Sequence, residues 1–270
     1  MTQVQSTQAP GAVVMIRPQG FTPNPQTAAD NGFQHAGAAD AAQAMARAAY
    51  DEVTAAAATL EAQGVTVHLF EDRGEQETPD SVFPNNWFST HAGGHVALYP
   101  MYAPNRRRER RQDVIEMLKA QYRVQDVIDY SGLAPDGLFL EGTGAMVLDH
   151  IARVACTARF NRANGVALER FATHFNFEPM MFDAVDDAGQ PIYHTNVLMC
   201  VATEFAMVGF DAIQDATRRA EIHARLASLL PAQKELIERS ARIVPLSVPT
   251  IEMAGGSVRC MLAGIHLAKR

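Results

Sequence analysis

The sequence is poor in cysteine: it contains only Cys156, Cys200 and Cys260, and it has no Cys-x-x-Cys pair. Three thiols do not form a disulfide framework, and the missing pair argues against a structural zinc site. Basic residues are also few, with 23 Lys and Arg against 30 Asp and Glu and a net charge of −7. This balance excludes the broad basic surface with which proteins bind nucleic acids.

Long apolar runs are missing as well. No stretch of about 18 uninterrupted apolar residues occurs, so the sequence predicts no membrane-spanning helix. Residues 1–11 are expected to form a polar tail, and they lack the apolar segment of a secretory signal. Residues 12–270 are numerous enough to bury the core of a single domain. Together with the sparse cysteines, these features predict a soluble cytoplasmic protein.

Secondary-structure patterns recur roughly every 50 residues as a hairpin, a helix and a strand. Helices are predicted over residues 38–63, 106–121, 163–175 and 214–240. Strands are predicted over residues 12–17, 65–70, 87–90, 95–101, 124–130, 139–141, 145–148, 154–160, 178–183, 194–201, 206–210 and 243–248, and the last hairpin over residues 256–260 and 261–268. The first unit lacks a hairpin and the last hairpin lacks a helix, so joined ends would close a ring of five α/β units. An open α/β sandwich is the alternative.

One cysteine differs from the other two in its surroundings. Cys156 and Cys200 lie in apolar, strand-like runs, where a thiol is usually a small buried hydrophobic group. Cys260 ends the segment AGGSVRC, in which Gly255 and Gly256 allow a sharp turn or a close approach to a ligand. The segment therefore places Cys260 where a nucleophile can be presented, although a structural role is equally consistent with this pattern alone.

A nucleophilic cysteine needs a partner that raises its thiolate fraction and protonates the leaving group. Among nine histidines, His194 in YHTN opens a buried-looking strand beside polar residues. His91 and His95 flank a hairpin turn and are expected to be exposed, and the others are expected at surface or packing positions. Glu141 in FLEGTG lies in an apolar strand, and a buried carboxylate requires a partner. We interpret Glu141 as the group that orients His194, as the acid of a catalytic triad does. A structural ion pair is the alternative.

A third polar segment, PDSVFPNNW, brings a carboxylate and two amides next to the single tryptophan. Asp80, Asn85 and Asn86 are candidates for binding a substrate. A polar turn before a strand would explain the two asparagines equally well.

The segments PDSVFPNNW, FLEGTG, ARFNRAN, YHTN and GGSVRC occur in one order, and their spacing resembles that of the guanidino-group-modifying superfamily. This group of five-bladed α/β propellers (penteins) includes arginine deiminase, dimethylarginine dimethylaminohydrolase and the amidinotransferases. The resemblance extends from the segment MIRP at residues 15–18 to the C-terminus. It is greatest to the arginine-deiminase-related branch of citrulline hydrolases (citrulline ureidases).

The resemblance implies a role for each matching residue. Cys260 would be the nucleophile, His194 the general acid and base, and Glu141 the partner of His194. The substrate would be bound by the following residues: Asp80, Asn85, Asn86, Arg106, Arg159 and Asn196. Arg106 and Arg159 correspond to arginines that hold the substrate carboxylate, although Arg106 also fits a surface charge at the start of a helix. Phe21 and Asn24 are candidates for a lid.

Two positions depart from the pattern of relatives that cleave a guanidinium group. Those relatives usually have a carboxylate at the position of Asn86, and deiminases also have one at the position of Asn196. A cationic guanidinium favours carboxylates, because a charge-assisted hydrogen bond is about twice as strong as a neutral one. An amide both donates and accepts, which matches a neutral ureido group. The two amides therefore favour a ureido substrate such as citrulline.

The resemblance thus implies a cysteine hydrolase that converts citrulline to ornithine, CO2 and ammonia through a covalent intermediate, without metal or organic cofactor. A deiminase, a dimethylarginine-type hydrolase or an amidinotransferase on a guanidino substrate is the enzymatic alternative. A propeller that binds an amino acid or a protein partner and retains the triad as a relic is the non-enzymatic one. The expected partner is a small amino acid substrate, with no nucleic acid or membrane, and homo-oligomer formation stays open.

Overall fold

The computed structural model describes residues 6–35, 42–225, 241 and 244–270. Within them the α-helices are α1 (Ala42–Ala62), α2 (Gln112–Gln121), α3 (Gly142–Ala145), α4 (Gly165–Phe175), α5 (Ala216–Arg225), α6 (Pro249–Glu252) and α7 (Val258–Met261). The strands are β1 (Ala12–Pro18), β2 (Thr66–Asp72), β3 (Phe88–His91), β4 (His95–Leu98), β5 (Asp126–Asp129), β6 (Met146–Asp149), β7 (Val154–Ala158), β8 (Glu178–Phe182), β9 (Met199–Val201), β10 (Ala206–Val208) and β11 (Ala263–Gly264). The α/β class expected from the sequence is confirmed.

The strands form four small sheets, and two of them repeat one unit closely. In each, an antiparallel hairpin is followed by a helix and a strand that pairs in parallel with the second hairpin strand: β3, β4 and β5 in one sheet, and β6, β7 and β8 in the other. Gly93 and Gly94 turn the first hairpin with φ near +96°, a conformation that glycine adopts without steric cost. The predicted hairpin–helix–strand unit is therefore present.

The two ends of the chain meet in a third sheet. β1 pairs in parallel with β2 along its whole length, and its other edge pairs in antiparallel fashion with β11. A C-terminal strand thus completes the sheet of the first strand–helix–strand segment, as the repeat pattern predicts. The fourth sheet holds only β9 and β10. A closed ring of five units stays a prediction.

Several predicted elements differ from the structure or are only partly described. Residues 258–260 of the strand expected over 256–260 lie in the helix α7. The helix expected over residues 106–121 is divided, because Pro104–Glu109 forms a 3-10 helix and the extended Arg110 and Arg111 separate it from α2. Residues 244–248 of the strand expected at 243–248 carry no strand, and residue 243 lies outside the described residues. The helix expected over residues 214–240 is described as α5, and residues 226–240 lie outside the described residues. The described residues contain no helix with both the length and the apolar character needed to cross a bilayer.

Residues 6–11 of the expected polar tail are attached to the sheets. The Gln8 amide donates to the carbonyl oxygens of Leu148 (2.8 Å) and Val201 (3.1 Å), and its oxygen accepts from the His150 N–H (2.8 Å). One side chain therefore joins β9 to the end of β6.

The helix α4 buries one face against the sheet of β6–β8. Leu168, Phe171, Ala172 and Phe175 recur at helical spacing and are buried, whereas Val166 on the same helix is 51% exposed. The Phe171 ring stacks on Phe175 with a centroid distance of 4.9 Å. Aromatic packing of this kind contributes a large share of core stability.

Phe171→Ala is expected to lower the free energy of unfolding by about 3–5 kcal/mol, because the fully buried ring leaves a cavity. Val166→Ala on the same helix is the control and should change it by less than about 0.5 kcal/mol. Urea unfolding followed by circular dichroism measures both. Equal effects of the two substitutions would contradict this description of the core.

Three histidines form a buried cluster between β3, the end of β6 and the C-terminus. The rings of His150 and His266 stack at 3.9 Å, and His91 lies 5.9 Å from His150. The expectation that His91 is exposed is wrong: it is 1% exposed and packs on Phe175. Burial lowers the pKa of all three, that of His150 to about 2 and that of His266 to about 4.

The low pKa of His150 predicts acid sensitivity. Below the ordinary histidine pKa of about 6.5, the unfolded chain binds a proton at His150 that the folded chain does not bind. The free energy of unfolding should therefore fall as the pH drops from about 6.5 toward 4, with about 1.4 kcal/mol per pH unit from this group. His150→Phe should remove that part of the slope. Urea unfolding at several pH values tests this, and an unchanged slope would contradict it.

Candidate active site

Glu141 is placed by the turn between the end of a strand-like segment and α3. Its N–H donates to the carbonyl of Arg162 (3.0 Å), and Gly142 follows with φ +43°. A Cβ at Gly142 would lie 2.3 Å from the carbonyl oxygen of Asn85, so only glycine fits there. The sharp turn leaves the Glu141 side chain fully buried.

The Glu141 carboxylate binds His194. Its Oε2 lies 2.9 Å from His194 Nε2, and its Oε1 accepts from the Tyr102 N–H at 3.1 Å. Burial alone would raise the pKa of Glu141, but the His194 hydrogen bond and the charges of Arg106 and Arg162 outweigh it and hold this pKa at about 2. Burial lowers the pKa of His194 to about 4, against the opposing effect of Glu141. At neutral pH the site thus holds a carboxylate and a neutral imidazole.

His194 itself is fixed by the residue that follows it. The Thr195 hydroxyl donates to the carbonyl of Ala145 and accepts from the N–H of Ala158 (2.7 Å), which joins this loop to α3 and β7. His194 precedes the 3-10 helix Thr195–Val197 rather than opening a strand. A Cβ at Gly144 would lie 2.9 Å from the His194 ring and 2.1 Å from Asn86 Nδ2. The glycine therefore lets the two side chains approach.

Cys260 lies in α7, one short turn after the two glycines. Gly255 has φ +78°, and its carbonyl accepts a hydrogen bond from the Tyr193 hydroxyl. A Cβ at Gly256 would lie 2.5 Å from the Phe83 ring. Asn196 Nδ2 is 3.1 Å from Cys260 Sγ. The turn is thus held against the same loop that carries His194.

Arg106 is the cation at the centre of the site. Its guanidinium contacts Glu109 twice (2.8 and 3.0 Å), Asp80 Oδ2 and Glu141 Oε2 (3.5 Å each), and the Asn86 side-chain oxygen (3.0 Å). The side chain is 2% exposed. Burial alone would lower the pKa of Arg106, but the acidic neighbours outweigh it and raise it. The surface-charge alternative for Arg106 is therefore wrong.

One carboxylate oxygen of Asp80 accepts a hydrogen bond from the protein, and the other has no hydrogen-bond partner among the described residues. Its Oδ2 accepts from Asn24 Nδ2 at 2.8 Å, and Asn24 also exchanges hydrogen bonds with Asn105. Burial raises the pKa of Asp80, opposed by the charge of Arg106. The Oδ1 atom has no partner among the described residues. The candidate lid residues Phe21 and Asn24 are both buried, and Asn24 contacts the site through Asp80.

Arg159 is not brought to this group. Its side chain is 59% exposed and pairs with Asp183 at 3.2 Å. Arg162, three residues later in the same segment ARFNRAN, is buried instead. It binds Asp30, lies 4.0 Å from Glu141 Oε2, and places its guanidinium 5.0 Å from the Tyr193 ring centroid. Sequence reasoning missed Arg162, although the segment that contains it was singled out.

Several buried polar atoms around the site lack a partner among the described residues: Asp30 Oδ2, Asp80 Oδ1, Asn85 Oδ1 and Nδ2, Asn86 Nδ2, Arg162 Nε and Asn196 Oδ1. Buried polar groups in proteins are nearly always hydrogen-bonded, to protein, water or ligand. These atoms are therefore available to bind water or a polar ligand with both donors and acceptors.

Cys260, His194, Asp80, Asn86 and Arg106 all line one small cavity of about 10 Å³. Its other walls are Phe83, Tyr193, Ala254 and Gly256. This volume holds about one water molecule, so an amino acid requires a wall to move.

The segment over residues 19–35 does not line the cavity, but it contacts two of its wall residues, Ala254 and Tyr193. Asn31 Nδ2 donates to the carbonyl of Ala254 at 3.1 Å, and the Phe33 ring, 44% exposed, lies 5.9 Å from Tyr193. Both contacts must be broken for this segment to open.

The chemistry that this arrangement supports is nucleophilic. A thiol, a neutral imidazole and a carboxylate bound to that imidazole are the groups of covalent catalysis at an electrophilic carbon. Among the described residues there is no group of three or more His, Cys, Asp and Glu side chains arranged to hold a metal ion.

A family model described as N,N dimethylarginine dimethylhydrolase, eukaryotic, matches residues 17–229 and 226–267 of the chain. Comparison with curated protein sequences gives no match.

Solved structures of guanidino-modifying enzymes share the fold at 13–16% sequence identity. One of them is the N-terminal domain of ArgZ, an arginine dihydrolase from the ornithine–ammonia cycle in cyanobacteria, which was solved as a substrate-bound Cys-to-Ser mutant. It has a TM-score of 0.72 and 15% identity to this chain, and the match covers 94% of this chain and 98% of that one. AgrE, in a complex with ornithine and NAD+, has a TM-score of 0.72 and 16% identity over 96% of this chain and 39% of that one. A dimethylarginine dimethylaminohydrolase adduct has a TM-score of 0.61 and 13% identity over 98% and 100%.

Gly144→Ala should displace His194 and Asn86, because the new methyl group has no space beside either. A misplacement of about 1 Å at a catalytic group can cost about a hundredfold in rate. Turnover, followed as ammonia release, should fall by that order while circular dichroism stays unchanged. Gly165→Ala, whose Cβ would lie 3.6 Å from the nearest atom, is the control and should retain activity. Full activity of Gly144→Ala would contradict the assigned geometry.

Proposed function

Because the chain belongs to the eukaryotic N,N dimethylarginine dimethylhydrolase family, within the guanidino-group-modifying superfamily, we propose that it hydrolyses a guanidino C–N bond of an arginine-type amino acid. Cys260 is the nucleophile, His194 the general acid and base, and Glu141 the residue that orients His194. The observation that carries the proposal is the 2.9 Å contact between His194 and Glu141 on a cavity that Cys260 also lines.

The charge of the site favours a cationic substrate. The carboxylates of Asp30, Asp80 and Glu141 face two guanidinium groups, those of Arg106 and Arg162. Glu109 also contacts Arg106, but burial raises its pKa to about 8, so it is not counted among these charges. The free Oδ1 atom of Asp80 is available to accept a hydrogen bond from a guanidinium N–H. A charge-assisted contact of this kind is about twice as strong as a neutral one. These features support arginine or an N-methylated arginine as substrate.

The mechanism proceeds in two steps. The Cys260 thiolate attacks the guanidino carbon, and His194, after taking the thiol proton, returns it to the departing amine as the C–N bond breaks. Water then attacks the covalent thiouronium intermediate, with His194 as the base, and the C–S bond breaks to give a ureido product and free Cys260. Glu141 stabilises the imidazolium that forms in each step.

Substrate binding is assigned to the polar groups around these three residues. Asp80 and Asn196 offer acceptors, and Asn86 and Arg162 offer donors, each through an atom without a partner among the described residues. Arg106 is committed to Glu109, so its role is to position Asn86 and Asp80 rather than to hold the substrate carboxylate. Arg162 is the better candidate for that carboxylate, and Arg159 is not proposed. Asn85 lies beneath the Gly142 turn and supports it.

A ureido substrate such as citrulline is the second candidate, and the orientation of Asn86 favours it. Arg106 can only donate, so the Asn86 oxygen must face it and the Nδ2 group must face away. A free donor suits the carbonyl of a ureido group better than a guanidinium, which has no acceptor. Hydrolysis of citrulline at this site would release ornithine, CO2 and ammonia.

The proposal also concerns the overall fold of the protein and its location in the cell. We expect residues 12–270 to form one five-bladed propeller with the site at its centre, because the two chain ends share the sheet of β1, β2 and β11. We expect a cytoplasmic enzyme that needs no cofactor and acts on a free amino acid.

Cys260→Ala is expected to lower turnover by at least about a thousandfold, because the covalent route is lost. Cys200→Ala, at a thiol outside the site cavity, is the control and should retain activity. Purified protein is given arginine, N,N-dimethylarginine and citrulline separately, and citrulline, ornithine, ammonia and dimethylamine are measured.

The products distinguish the candidates. Citrulline from arginine or dimethylarginine supports the guanidino reaction, ornithine from citrulline supports the ureido reaction, and ornithine from arginine shows both in sequence. Full activity of Cys260→Ala would disprove the mechanism. No turnover of any of the three substrates would favour a propeller that binds an amino acid without reacting.

A further inference from the structure

A second cavity, larger than the site cavity, lies on the other side of the segments that carry the catalytic residues. Its volume is about 350 Å³, and it shares no lining residue with the site cavity. Arg259 lines it, whereas the next residue, Cys260, lines the site. Thr143, two residues after Glu141, lines it too. We name it the Arg259 cavity.

The walls of the Arg259 cavity are mainly apolar. They are formed by Val13, Leu60, Val65, Phe88, Val147, Leu148, Met199, Val201 and Leu262, among others. The side chains of Gln8 and Thr90 also line it, but both are engaged in hydrogen bonds to the backbone. The volume is at the lower end of the range of about 300–1,000 Å³ that small-molecule sites occupy.

One positive charge faces this cavity without a counter-charge. The Arg259 guanidinium makes no ion pair with any described residue, and its hydrogen bond is to the Leu262 carbonyl at 3.3 Å. The lining contains no carboxylate. The two imidazoles that line it, His150 and His266, are neutral at pH 7, because burial holds the pKa of each at about 4 or below.

An unpaired guanidinium at an apolar wall favours an anion. The guanidinium presents several N–H donors in one plane and binds a carboxylate through two parallel hydrogen bonds. Arg259 is accessible to solvent at the cavity, yet the surrounding protein lowers the pKa of its guanidinium, so an anion that pairs with it gains free energy. A ligand that also covers the apolar walls would add the hydrophobic contribution of its tail.

We propose that the Arg259 cavity is a second binding site, which takes a small monocarboxylate with an aliphatic tail. The carboxylate binds the Arg259 guanidinium, and the tail packs against the apolar walls formed by Val13, Leu60 and Leu262. Because Arg259 and Cys260 are neighbours in α7, a ligand here also changes the environment of the nucleophile's turn.

The probe is 4-methylpentanoate, and binding is measured by isothermal titration calorimetry with the full-length protein. One equivalent should bind saturably to the wild type. 4-Methylpentanamide has the same shape without the charge, and it should bind at least about tenfold more weakly, since the charge-assisted contact is lost. This comparison needs no variant, so it is independent of any effect of substitution on folding.

Two variants locate the site. Arg259→Gln should weaken binding of 4-methylpentanoate by at least about tenfold, whereas Arg162→Gln, which removes a guanidinium from the site cavity, should leave it unchanged. Circular dichroism confirms that each variant is folded. The proposal is wrong if the wild type does not bind the probe, if the amide binds as tightly as the carboxylate, or if Arg162→Gln rather than Arg259→Gln loses binding.

Discussion

The buried guanidinium of Arg106 is the interaction on which the rest of the site depends. It contacts Asp80 and Asn86 of the segment PDSVFPNNW, Glu109 of its own 3-10 helix and Glu141 of FLEGTG, so three separate segments of the chain meet at it. A single buried carboxylate costs several kcal/mol, and removing the cation would take the counter-charge from Glu109, the nearer of two from Asp80 and one of two from Glu141. The acids can therefore be buried side by side only because Arg106 is present, and their shared partner fixes the distances among them.

This constraint explains why small residues surround the site. Glu141 reaches Arg106 and His194 only if the backbone turns sharply at Gly142 and passes close to Asn85, and His194 fits beside Asn86 only if Gly144 has no side chain. Thr195 then holds the loop of His194 against α3 and β7. The close contacts at Gly142 and Gly144, together with the hydrogen bond to Glu141, thus hold the His194 imidazole in one orientation.

The grouping of Cys260, His194 and Glu141 around one cavity could be predicted from the sequence, because glycine turns beside a cysteine and a buried carboxylate leave local signals. The choice between Arg159 and Arg162 could not, since both lie in ARFNRAN and only the path of the loop decides which side chain is buried. The position of His91 was mispredicted for a similar reason, because a hairpin end next to a glycine turn is usually exposed, whereas here α4 covers it.

The repeat was predicted better than its boundaries. The hairpin–helix–strand pattern and the meeting of the chain ends follow from the periodicity, but Pro104 and the extended Arg110 and Arg111 delay the start of α2 by several residues. That delay matters for function. It places Arg106 in a tight 3-10 turn, from which its guanidinium reaches inward instead of extending from a surface helix.

A guanidinium needs hydrogen-bond acceptors, whereas a ureido group also needs a donor for its carbonyl oxygen. Asp80 and Asn86 together offer both. Asp80 offers an acceptor and the site has more carboxylates than guanidinium groups, so a cation is favoured on entry. Once a C–N bond has been cleaved, the substrate carries a carbonyl, and the Nδ2 donor that Arg106 directs away from itself matches that oxygen. A site with only carboxylates would repel the carbonyl oxygen, and one with only amides would bind the guanidinium weakly. The mixed set at Asp80 and Asn86 therefore fits both the guanidino substrate and the ureido product of the proposed reaction.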